Sequence, residues 1–368
     1  MRMRFGRQLL FVVSIAALVA VFYVARPVGQ DEGGAPAGRA GGAAAGRGAA
    51  GGRGAAAEPA AGTDPAEIAE QLKKLQHGPQ LPHKYVANWP QLPKGYNTGE
   101  GGGVDIDAQG NVWFANRGAW PIIEFDASGK MLQAWSKDTV QTTPGVGKGI
   151  HGIGIDVNGN VWTTDREGSI VFKYNREGRL LMTLGNRMGS ANGNASLSGF
   201  DQPTNFWAMP NGNMLISDGY GNARVVEVTN DGKFVRIIGG KKGSGPQQFN
   251  TVHGVTVDGE GRIYIADRGN ARVQIYDKDG KFITMWTDLG APWDLAYAKG
   301  ENAIYMCDGG VNRIIKVSLD GKVLGETSHW GKGPGELDFA HAIAVTPDGA
   351  NIYVAEIKNW RVQKWSRN

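Results

Sequence analysis

The sequence predicts an all-β chain folded as a six-bladed β-propeller. Three observations carry that expectation. A four-strand unit recurs six times, its second strands end at near-regular intervals, and the last repeat lacks an outer strand that a segment near residue 83 can supply.

The expected second strands are Val112–Asn116, Val161–Asp165, Met214–Asp218, Ile263–Asp267, Ile304–Asp308 and Ile352–Glu356. Their last residues lie 49, 53, 49, 41 and 48 positions apart, the length of a four-stranded blade. A turn of the kind Asp-x-x-Gly-Asn precedes the second strand. Third and fourth strands read most clearly at Arg272–Tyr276 and Phe282–Trp286, with period-two alternation and Asp279-Gly280 at the hairpin between them. The sixth repeat stops at its third strand, Arg361–Trp365. The segment His83–Trp89 resembles Gly129–Trp135, an expected fourth strand, so the two chain ends are expected to share one blade and leave no open edge.

Ahead of the propeller, assigned to residues 83–368, three further segments are expected. Arg2, Arg4 and Arg7 precede an apolar run from Leu9 to Ala25, which reads as a signal anchor within residues 1–26. A cleaved signal peptide is the alternative, although Tyr23 and Val24 before Ala25 make a poor cleavage site. Either reading puts the remainder outside the cytoplasm, anchored in the cytoplasmic membrane by residues 9–25 or released from it. Residues 27–62, rich in glycine and alanine without apolar periodicity, read as a disordered linker. Residues 63–82 form a lead-in with a short helix at Ala66–Gln76, N-capped by Asp64 with Pro65 in the first turn.

Charge argues against nucleic acid as a partner. Residues 1–53 hold seven arginines against Asp31 and Glu32, a balance of +5, while the whole chain carries +4, leaving about −1 on the folded part. One cysteine, Cys307, excludes an intrachain disulfide.

The six histidines hold the strongest chemical signal. Counting back fourteen residues from each second-strand end reaches Gly102, His151, Thr204 and His253. The sixth repeat has one extra turn residue and reaches His341, and the fifth reaches Trp293 or Asp294. Repeats two, four and six thus begin their innermost strands with histidine. Alternate blades of a six-fold ring are a third of a turn apart, so the three imidazoles should converge on the axis as a metal site with a fourth position open. The plainer alternative is three turn histidines satisfied by neighbouring backbone.

The run Ala266-Asp267-Arg268-Gly269-Asn270-Ala271-Arg272-Val273 closely resembles the NHL repeat signature. The segments Ile150-His151-Gly152, Ser217-Asp218-Gly219-Tyr220-Gly221-Asn222-Ala223-Arg224, Val252-His253-Gly254 and Ala340-His341 resemble peptidyl-α-hydroxyglycine α-amidating lyase over roughly residues 83–368. That family is a six-bladed propeller that splits a peptidyl-α-hydroxyglycine into a peptide amide and glyoxylate. The resemblance implies one zinc per chain on His151, His253 and His341, with Tyr220 as the catalytic base. It also implies Arg268 and Arg117 as ligands of the substrate carboxylate; the alternative for Arg268 is an interblade ion pair. Arg166 has no counterpart in the lyase pattern and reads as structural. Trp207 and Trp293 read either as walls of an apolar pocket beside the metal or as blade packing. A structural calcium is left open, because the family's acidic residue after the third histidine is Ala342 here. Gly221 replaces a family cysteine. The expected partners are a small-molecule or peptide substrate and the membrane, with the top face of the propeller open to a protein. The alternative function is a non-catalytic extracytoplasmic binding module, and a lactonase-type hydrolase is disfavoured by the histidine register.

Overall fold

The computed structural model describes residue 62 and residues 64–142, 149–186 and 193–367. Within them the repeats fold as six four-stranded antiparallel sheets. From the inside outward, blade 1 runs Gly101–Ile106, Val112–Asn116, Ile122–Phe125 and Met131–Trp135. Blade 2 runs Ile150–Ile155, Val161–Asp165, Ile170–Tyr174 and Leu180–Leu184. Blade 3 comprises Pro203–Ala208, Met214–Asp218, Arg224–Val228 and Phe234–Gly239. Blades 4 and 5 follow the same order, beginning with Val252–Val257 and Pro292–Ala298. Blade 6 contains Ala340–Val345, Asn351–Glu356 and Arg361–Ser366. The expected second strands stand where the sequence put them, with those of blades 5 and 6 each one residue longer at the start.

Local chemistry explains the repeat. In blade 1 the Asp107 carboxylate accepts the backbone N–H of Gln109 and Asn111, closing the turn, and its second oxygen accepts Trp113 Nε1 at 3.1 Å. Asp156 with Trp162 and Asp258 with Tyr264 repeat the device in blades 2 and 4. At the far end of the second strand, an acidic residue pairs with an arginine opening the third: Asp218 with Arg224, Asp267 with Arg272, Asp308 with Arg313, Glu356 with Arg361. Second-strand aromatics such as Trp113, Trp162, Tyr264 and Tyr305 are fully buried between neighbouring blades, which is where the core lies.

The ring closes as expected, with a shorter strand. Lys84 and Tyr85 pair with Ser366 and Trp365, and Val86 N–H adds one bond to Lys364 O. Beyond that the segment leaves the sheet and buries Trp89 against Tyr353 and Phe125, at ring separations of 4.9 and 5.8 Å. The lead-in helix spans Pro65–Leu72, shorter than Ala66–Gln76, with Asp64 accepting from the N–H of Ala66 and Glu67. Gly62, expected to end the linker, is tied to blade 5: its N–H donates to Gly310 O, and its carbonyl accepts from Asn312. Among the described residues no helix is long and apolar enough to cross a membrane. The expected anchor at residues 9–25 and the linker up to residue 61 lie outside the described residues.

A protein starting at Gly62 should therefore melt at the full-length temperature. One starting at Pro93 loses the closing strand and Trp89, a large buried side chain whose removal costs about 3–5 kcal/mol, and should melt roughly 10 °C lower. Calorimetry on the two truncations checks this; equal melting temperatures contradict the closure.

Candidate metal centre

Each innermost strand carries a β-bulge at its start. The pairing register skips between Ile150 and Ile153, Val252 and Gly254, and Ala340 and Ala342 in the blades with histidine. It skips likewise between Gly101 and Gly103, Pro203 and Phe206, and Pro292 and Asp294 in the other three. A bulge residue has no partner opposite it, so its side chain is re-aimed and its peptide group is turned out of the ladder. His151, His253 and His341 sit in three bulges; Gly102, Thr204 and Trp293 sit in the other three, which fixes Trp293 as the blade 5 equivalent.

The two sets interlock. His151 Nδ1 donates to Thr204 O at 3.0 Å, His253 Nδ1 to Trp293 O at 2.6 Å, and His341 Nδ1 to Gly102 O at 2.8 Å. A carbonyl can only accept, so each ring is held as the Nδ1–H tautomer with an Nε2 lone pair left over. The ring centroids are 4.7 to 4.9 Å apart, and one ligand atom from each histidine falls within 4.8 Å of the others. The backbone alternative raised by the sequence thus holds for one nitrogen of each ring, and it is what frees the other.

Burial lowers all three imidazoles well below their ordinary range, with added repulsion from neighbouring cations and from one another. They are neutral near pH 7, the form that ligates metals. His253 Nε2 is buried without a hydrogen-bond partner, an atom that calls for a ligand. A tetrahedral ion with bonds of about 2.0–2.1 Å needs its nitrogens roughly 3.4 Å apart, so the rings need to close by less than about 1 Å each. The residues fit such an ion. Where the family has an acidic residue after the third histidine, Ala342 is apolar and buried and offers no ligand.

Tyr220 is presented by its flanking glycines. A Cβ on Gly219 would stand 1.8 Å from the backbone Val252 O, so that position excludes a side chain, while one on Gly221 would meet the end of the Asp201 side chain at 2.1 Å. The half-buried phenol lies 3.4 Å from His151 Nε2 and accepts from Arg268 at 3.2 Å. Arg268 opens a single 3-10 turn, Arg268–Asn270, and its guanidinium lies 4.1 Å from the Trp293 ring. Arg117 stands at the rim, paired with Glu100 at 2.8 Å and donating to Ile150 O.

Arg166, expected to be structural, lies with its guanidinium 4.5 Å over the Tyr220 ring and pairs with Glu167. The signal was present in the sequence: Arg117, Arg166 and Arg268 each directly follow a second-strand end, whereas the interstrand arginines open the third strand. Of the two tryptophans, Trp293 lies 5.0 Å from the His253 ring. Trp207 lines instead a cavity of about 640 Å³ further along the channel, together with Asp105, Asn205 and Asp294.

Fold and site together define an NHL-repeat β-propeller with a buried three-histidine centre. The NHL repeat model matches residues 249–276. Human NHL repeat-containing protein 3 is 30% identical over 295 residues, covering 77% of this chain and 84% of that protein. The chain belongs to the family of NHL repeat-containing protein 3. It is also related to the Drosophila melanogaster peptidyl-alpha-hydroxyglycine alpha-amidating lyase 1, at 29% identity over 189 residues, 45% of this chain and 35% of that one. Among solved structures, a streptogramin B lyase shares the fold at 15% identity and a TM-score of 0.53, over 78% of this chain and 98% of that one.

Burial pushes the Asp294 carboxyl up to about 7 and Asp105 up to about 6. Both titrate near 4 when unfolded, so the folded chain binds more protons between about pH 4 and 7. This contribution to stability is complete at low pH and is lost as pH rises through 6 to 7. The melting temperature of wild type relative to Asp294→Asn should fall by about 5 °C or more between pH 5 and pH 8; a pH-independent difference contradicts the assignment.

Proposed function

We propose that this protein is a zinc-dependent lyase that cleaves peptidyl-α-hydroxyglycine-like carbinolamides into an amide and glyoxylate. The observation that carries this reading is the convergence of three tautomer-fixed histidines with the Tyr220 hydroxyl and Arg268 on one face of the axis. The relationship to an amidating lyase supports it. Three neutral imidazoles without a thiolate, leaving one position open, suit zinc in a catalytic rather than a structural role. When bound, the ion supplies Lewis acidity toward the substrate hydroxyl oxygen.

The chain's own residues do the rest. Arg268, aided by Arg117 at the rim, holds the carboxylate through the planar fork of its guanidinium. Tyr220, acting as the phenolate, accepts the hydroxyl proton at Oη. As that O–H electron pair becomes the C=O bond of glyoxylate, the C–N bond breaks, and Tyr220 returns the proton to the leaving amide nitrogen. Arg166 and Arg268 flank the phenol and keep its oxygen next to the histidines. The apolar run at residues 9–25 with its preceding arginines supports action outside the cytoplasm; a reporter active only in the cytoplasm, fused after Asn368, should stay silent, and strong signal from it contradicts that placement.

His253→Ala should lose bound zinc and all cleavage of an α-hydroxyglycine peptide. Tyr220→Phe should keep zinc and lose turnover by about 10²-fold or more, since it removes one proton acceptor and leaves the ligands in place. Metal analysis and glyoxylate release measure both. A second reading, a non-catalytic ligand-binding propeller, is favoured by the extended similarity to NHL repeat-containing protein 3. Wild type that holds zinc and cleaves no α-hydroxy amide decides for it.

A further inference from the structure

The rim of the centre is divided by charge, and the division points to the substrate. The residue that follows the second-strand end is Arg117, Arg166, Gly219, Arg268, Gly309 and Ile357 in blades 1 to 6. Cations thus occupy blades 1, 2 and 4, with Tyr220 next to Gly219 on blade 3. Blades 5 and 6 carry no arginine at this position; Lys358 lies 5.9 Å from the Phe339 ring, and Arg268 reaches Trp293 from blade 4 at 4.1 Å. On that side Trp293 lies 5.0 Å from the His253 ring and 5.5 Å from His341, and Phe339 meets Trp293 edge-on at 4.4 Å.

One local concession, a bare glycine, and one feature of the repeat shape this aromatic side. A Cβ on Gly309 would stand 2.3 Å from Trp293 Cδ1, so the position that bears arginine in blades 1, 2 and 4 is kept bare to seat the indole. Phe339 holds φ at 65°, a left-handed conformation unfavourable for a bulky residue. The surroundings over-determine it: Asn312 Oδ1 accepts the N–H of Phe339 at 2.6 Å and of Ala340 at 3.1 Å, while Phe339 O accepts Ile357 N–H. Gln202 and Thr251, just before the innermost strands of blades 3 and 4, hold the same conformation, so it belongs to the repeat, and in blade 6 it carries a ring. The ring remains half-buried.

We propose that Trp293 and Phe339 form the acyl-side subsite of the centre, selecting amides with an apolar or aromatic group next to the cleaved bond, while the arginine side takes the carboxylate. This deepens the lyase reading and rests on it for the reaction, though not for binding. A flat, polarizable pair of rings recognises an aromatic or long aliphatic group by area and edge-to-face contact.

The test pairs turnover with binding. Wild type should cleave N-acetyl-phenylalanyl-α-hydroxyglycine with a kcat/KM at least 10-fold above that of the N-acetyl-glycyl analogue, mainly through KM. Phe339→Gly removes the ring and suits the left-handed backbone, so the fold is kept. It should bring the ratio to within about 2-fold of unity, with zinc content and melting temperature unchanged. In parallel, N-(3-phenylpropanoyl)glycine should bind wild type at least 10-fold tighter than N-acetylglycine by calorimetry, and Phe339→Gly should erase that gap. Equal treatment of the two probes by wild type, or a preference that survives Phe339→Gly, overturns the proposal. If neither peptide is cleaved, the lyase reading has failed and the calorimetric comparison alone decides the subsite.

Discussion

The centre depends on one interaction repeated three times: the Nδ1–H of a bulge histidine donated to the carbonyl of the bulge residue in the next blade. His151 to Thr204, His253 to Trp293 and His341 to Gly102 link blades 2 to 3, 4 to 5 and 6 to 1. In a regular ladder both peptide groups would be consumed by strand pairing. The bulges remove one residue per inner strand from that pairing, so half of them can offer a ring and the other half an acceptor. Thr204 shows how firmly the acceptor side is braced, since its hydroxyl donates to Ser217 O and Val252 O while its carbonyl also accepts from Thr164.

Electrostatics follow from that arrangement. Three imidazoles within van der Waals reach of each other, buried and close to Arg117, Arg166 and Arg268, cannot all carry protons, so they stay neutral and basic toward a Lewis acid. The same arginines line the rim, Arg117 and Arg166 each paired with a glutamate. Tyr220 stands at the boundary of the two environments, bonded to an arginine and adjacent to a histidine. Aromatic rings on blades 5 and 6 complete the rim where no arginine follows the second strand. Fold, tautomer and charge therefore act on one small volume of the axis.

Much of this was legible in the sequence for physical reasons. Blade length sets the spacing of second strands, and a six-fold ring converts alternate-blade register into convergence, so His151, His253 and His341 could be placed together from counting alone. The Asp64 cap and the shared last blade were equally readable. The closing strand came out shorter because Trp89 gains more from burial against Tyr353 and Phe125 than from continuing along an outer edge. What counting could not see was the backbone: bulges leave no mark in composition, so the carbonyl partners of the histidines were hidden. Arg166 pairs with Glu167 and also reaches the Tyr220 ring, and its place directly after the strand end, shared with Arg117 and Arg268, separates it from the arginines that pair within a blade. The choice between Trp207 and Trp293 needed the bulge register as well.

The central claim, that three Nε2 atoms hold one ion, is tested most directly by X-ray absorption at the zinc edge on the purified wild-type protein. The account predicts one zinc per chain with a first shell of three imidazole nitrogens at about 2.0–2.1 Å and a light atom in the remaining position. A first shell with fewer than three imidazoles, or wild-type protein that takes up no stoichiometric metal on titration, would contradict it.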